Sequence, residues 1–152
     1  MEIAITVAVT VPTGISIFVF GQVFVVLFLE RMRTQARCIE DIAQALVMYA
    51  QVYSDVEDET TPTWRKERAD SASTEFRRLA ALLRANARTL RYYKFWQRVH
   101  LVLPQDSVIA ASKELVGLSN SCHPRDIDQI MVGIAFSDET VRLLGIDSRL
   151  VS

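Results

Sequence analysis

The chain has 152 residues, half of them hydrophobic, and only five Gly and four Pro, which argues against a turn-rich all-β fold. A net charge of −1 hides a strong asymmetry: residues 1–64 carry three Arg against eight acids, 65–104 ten cations against three acids, and 105–152 four cations against seven acids. Two cysteines without a Cys-x-x-Cys spacing exclude a disulfide framework and read as reduced thiols.

The first element is IAITVAVTVPTGISIFVFGQVFVVLFL, residues 3–29, a run of 27 residues without a charge. About 20 suffice to cross a bilayer core. A cleavable signal peptide fits poorly, because no basic n-region precedes the run and no small-x-small site follows it. Residues 1–29 are therefore expected to be a transmembrane anchor. Only Glu2 precedes it, whereas Arg31, Arg33 and Arg37 follow closely. Positive flanks stay in the cytoplasm, so the N-terminus is expected outside and residues 30–152 in the cytosol. Pro12 predicts an irregularity near 12–14. On a helical projection Thr6, Thr10, Thr13, Gly14 and Gly21 fall within about 100° of one another. Small residues on one face let helices approach closely, so these five, with the amide of Gln22, are the candidate helix–helix contact. Gln22 reads first as an interfacial or lightly hydrated amide, and its interhelical hydrogen bond is the sharper alternative.

Residues 30–54 place Ile39, Ile42, Ala43, Leu46, Tyr49, Ala50 and Tyr53 at helical spacing, an amphipathic helix that no Gly or Pro separates from the span. SDVEDETTPT, residues 54–63, reads as a solvated acidic loop. It lacks the Gly of a calcium-binding loop. A second long helix is expected over 64–91, with Thr63 as its cap and Ala69, Ala72, Phe76, Leu79, Ala80, Leu83, Ala87 and Leu90 as its buried stripe. Residues 106–119 put Val108, Ala111, Leu115 and Leu118 on one face. After the break SNSCHP, Pro124 suits the first position of a helix running over Ile127, Ile130, Met131 and Ile134. Ser137 could cap a last short helix that Gly145 stops. The expected fold is all-α: one N-terminal transmembrane helix followed by a small cytosolic helical bundle.

The stretch GQVFVVLFLERMRTQARCIEDIAQALVMYAQVY, with ELVGLSNS at 114–121, resembles uncharacterised single-span membrane proteins of bacteria. The likeness rests on the layout of span, juxtamembrane helix, basic second helix and GLSNS turn. It implies a bacterial inner membrane and no particular activity.

Residues 91–100, RYYKFWQRVH, thread aromatic rings between cations. If the second helix ran unbroken to Pro104, Tyr92, Trp96, Val99 and Leu103 would face away from the leucine stripe, with Arg84, Arg88, Arg91, Lys94 and Arg98 between the two faces. One helix cannot bury both faces in one small core. Either the helix breaks near 91–92 and the aromatics complete the core, or they meet a membrane surface. Aromatic rings and snorkelling cations are usual residents of the headgroup layer. Segment 91–104 is therefore the candidate interfacial segment, with Arg88, Arg91, Tyr92, Lys94, Trp96 and Arg98 as its contacts. No nucleic-acid module is recognisable.

Chemistry-bearing residues are sparse. Cys38, Cys122, His100 and His123 are the only soft ligands, and no pair has zinc-finger spacing. A Cys122–His100 nucleophile pair lacks a recognisable orienting group. Asp126 and Asp128 read as helix N-terminal charges, as do Asp138 and Glu139. There is no phosphate-binding Gly loop, GxSxG or HExxH. These readings point to a non-enzymatic, membrane-anchored assembly or scaffold protein without a cofactor. Its expected partners are the lipid bilayer and a second copy of itself or another membrane protein. The alternative is a pore or transport accessory subunit, with Gln22 and the span threonines as lining residues.

Overall fold

The computed structural model describes residues 16–23, 25–56, 61–89, 93–98 and 102–147, with the backbone alone at Leu27, Phe28, Arg31, Thr89, Phe95 and Trp96. Every regular element among the described residues is helical, as the 3.6-residue periodicity predicts. The chain divides into two compact units, Met1–Thr34 and Gln35–Ser152.

In the first unit residues 16–23 are helical, Val25–Leu29 form a π-helical turn, and helix α1 (Glu30–Met48) begins. Thr34 Oγ1 donates back to the Glu30 carbonyl at 2.8 Å, a local bond common for helical Thr. Thr6, Thr10, Thr13 and Gly14 lie outside the described residues, as does most of the outer half of the expected span. Among the described residues no helix is long and apolar enough to cross a membrane.

The second unit is a helical bundle. From Gln35 onward α1 buries Cys38, Ile42, Ala45 and Leu46, stepping by three and four residues. The helix expected over 30–54 is interrupted: Tyr49 is a turn residue, and a short α2 (Ala50–Tyr53) follows. The acidic loop is described at 54–56 and 61–62 only, and there Asp55 pairs with Arg65 at 2.8 Å. Helix α3 (Thr63–Thr89) starts one residue earlier than expected. The Pro62 carbonyl accepts from Arg65 N at 3.0 Å, so Thr63 is the first helical residue and not the cap.

The stripe Ala69, Ala72, Phe76, Leu79, Ala80, Leu83 and Ala87 is buried as the spacing predicts, and Leu90 lies outside the described residues. Phe76 is fully buried, edge-on to Tyr49 with ring centres 5.8 Å apart and tilted against Tyr53 at 6.4 Å. Truncating such a ring to Ala costs about 3–5 kcal/mol.

After the short α4 (Tyr93–Arg98) come α5 (Gln105–Asn120) and α6 (Ile127–Leu144). The Pro104 carbonyl accepts from Val108 N at 3.1 Å and opens α5. Helix α5 packs on α3 and α6, and α2 touches both α3 and α6. Alanines and serines line the α3–α5 seam, which lets the two backbones approach closely. Gly117 of α5 lies directly under the Phe136 ring of α6, where a Cβ would fall 2.8 Å from the ring atoms.

Two expectations for the last third are corrected. Pro124 lies ahead of the helix, and Asp126 is the N-cap, its carboxylate accepting from Gln129 N at 2.8 Å. Ser137 caps nothing: α6 is one continuous helix, and Ser137 is buried in its middle. Of the apolar residues over which that helix was expected to run, Ile127 and Met131 are exposed, and Ile130 and Ile134 are half-buried. The inner face of α6 is instead Gly133, Ser137, Thr140, Val141 and Leu144. Small residues are needed there, because a Cβ on Gly133 would come within 3.3 Å of the Tyr53 carbonyl oxygen. Gly145 stops the helix as expected, with φ of 64° and the Ile146 N–H returning to Val141 O at 3.0 Å.

Candidate functional site

The cations from Arg77 to Arg98, on α3 and α4, differ in how they are held. Arg77 and Arg84, although exposed, are each engaged on α5. Arg84 Nε donates to Ser112 Oγ at 2.8 Å, while Arg77 donates to Ser119 Oγ at 3.3 Å and Asn120 Oδ1 at 3.0 Å. Arg78 pairs with Glu75, one turn away, and that hydrogen bond lowers the Glu75 carboxyl below its ordinary range. Further along, Arg88, Lys94 and Arg98 are exposed and have no ion-pair partner among the described residues.

Tyr93 fastens the start of α4. Its ring is buried, its hydroxyl donates to the Leu103 carbonyl at 2.6 Å, and it accepts from Gln35 Nε2 at 3.3 Å. On one continuous helix Tyr93 and Leu103 would stand about 15 Å apart along the axis. The hydroxyl contact shows that the helix does not run through to Pro104. Leu103 is accordingly half-buried against the core instead of facing away from it. The Gln35 bond ties the start of α4 to α1. Burial raises the Tyr93 phenol above its ordinary value, with the Gln35 bond opposing. Gln35 Oε1 is buried and lacks a hydrogen-bond partner among the described residues.

Of the predicted interfacial residues, Arg88, Lys94 and Arg98 are exposed. Arg91 and Tyr92 lie outside the described residues, as does the Trp96 side chain. Of the predicted span contacts, Gly21 and Gln22 are described and exposed, and a Cβ on Gly21 would meet nothing within 4 Å. Sequence reasoning missed Gln35, Tyr93, Ser112 and Ser119. The heptad spacing of Arg77 with Arg84, matched by Ser112 with Ser119, was the available signal for two of them.

Neither thiol suits nucleophilic work. Cys122 is buried, its Sγ donates to the Leu118 carbonyl at 3.4 Å, and burial pushes its pKa up to about 12. Burial raises Cys38 as well, with Asp41 adding to the shift. His100 lies outside the described residues. His123 Nε2 stands 3.2 Å from Asp70 Oδ1 at the surface, joining the α5–α6 turn to α3. Among the described residues no three metal-ligating side chains gather. No family model matches the chain, and neither a curated protein nor a solved structure matches it.

Proposed function

We propose that the protein is a membrane-anchored, non-enzymatic assembly or scaffold subunit of a bacterial inner membrane, with residues 30–152 in the cytosol. One observation carries the anchor. Residues 16–23 form a helix exposed on every side, and Ile17, Phe18, Val19 and Phe20 are 51% to 75% exposed. Four consecutive helical residues sweep the full circumference, so this helix has no polar face to turn to water. Lipid is the natural covering for such a surface, and the charge-free run from Ile3 supplies the required length. Arg31, Arg33 and Arg37 set the orientation.

The exposed Arg37, Arg88, Lys94 and Arg98 suit contact with an anionic leaflet, where each cation contributes about 1 kcal/mol. The exposed Gly21 and Gln22 suit contact between spans of two copies. The test uses the full chain with a C-terminal reporter active only in the periplasm. The reading expects a silent reporter and a protein that resists alkaline extraction from membranes. An active reporter, or release into the alkaline supernatant, overturns it.

A further inference from the structure

We draw no further inference here: the strongest candidate, the exposed apolar patch of Ile127, Met131 and Val132 on the outward side of α6, carries nothing because nothing in the structure shows what covers it.

Discussion

Arg84 donates from Nε to Ser112 Oγ at 2.8 Å across the α3–α5 seam, and one heptad away Arg77 repeats the contact on Ser119. The repeat is possible because antiparallel helices keep register over two turns when both use the same residue spacing. Each serine also donates to its own helix, to Ile109 O and Val116 O at 2.7 Å, so its hydroxyl proton is committed and its lone pairs are free to accept. These contacts make the upstream half of the basic run a fastening.

The first prediction concerns that seam. Ser112 is fully buried, and Ser112→Leu adds volume in the seam that Arg84 bridges. It should destabilise the chain by about 1–3 kcal/mol. Ser112→Ala removes only the hydroxyl and should cost about 1 kcal/mol. In a double-mutant cycle Ser112→Ala and Arg84→Met should lose less together than the sum of the two, read by thermal melting in detergent. Strict additivity would show that the bond contributes nothing.

Gly117 gives a prediction of opposite sign in two backgrounds. In the native chain a Cβ at 117 meets the Phe136 ring at 2.8 Å, so Gly117→Ala should destabilise. When Phe136→Ala has removed the ring, Gly117→Ala should become stabilising by about 1 kcal/mol, the helix-propensity gain of Ala over Gly. Denaturant midpoints of the four variants check this, and a Gly117→Ala effect independent of Phe136 would contradict the packing.

The thiols and phenols predict alkaline sensitivity. Cys122 rises from an ordinary value near 9 to about 12, and Cys38, Tyr53 and Tyr93 are also raised by burial. The folded state therefore holds protons that the unfolded state releases. Stability should be complete below pH 9 and decline as pH rises towards 12. Cys122→Ala should flatten the decline in thermal melts measured across that window. Native chains should react with a thiol reagent only slowly at pH 8, and both thiols should react on unfolding.

Gln35 and Tyr93 should respond differently to removal. Gln35 Oε1 is buried without a partner among the described residues, and its Nε2 bond is long at 3.3 Å. Gln35→Leu keeps the volume and removes the orphaned oxygen, so it should be neutral or stabilising. Tyr93→Phe strips the 2.6 Å donor from the Leu103 carbonyl and should cost about 1–2 kcal/mol. It should also speed hydrogen exchange in α4. Equal effects of the two changes would mean that the network acts as one unit.

The all-helical class, the burial of Ile42, Leu46, Leu79, Leu83, Leu115 and Leu118, and the stop at Gly145 were legible in the residues themselves. Steps of three and four place side chains on one face wherever a helix forms, and a glycine that accepts positive φ ends it. The candidate site was legible only as composition: a cluster of cations and rings with two possible destinations. Which face of a helix turns inward is decided between elements. Periodicity selected Ile127, Ile130, Met131 and Ile134 of α6, whereas close approach to Tyr53 and the hydroxyl bond from Tyr53 to Ser137 at 3.2 Å required the Gly133–Ser137 face. Likewise only the fold could separate Arg84, held on Ser112, from the exposed Arg88 one turn later, and bury Tyr93 beside the exposed Lys94. Those choices depend on partners 28 to 84 residues away, and no local pattern carries that information.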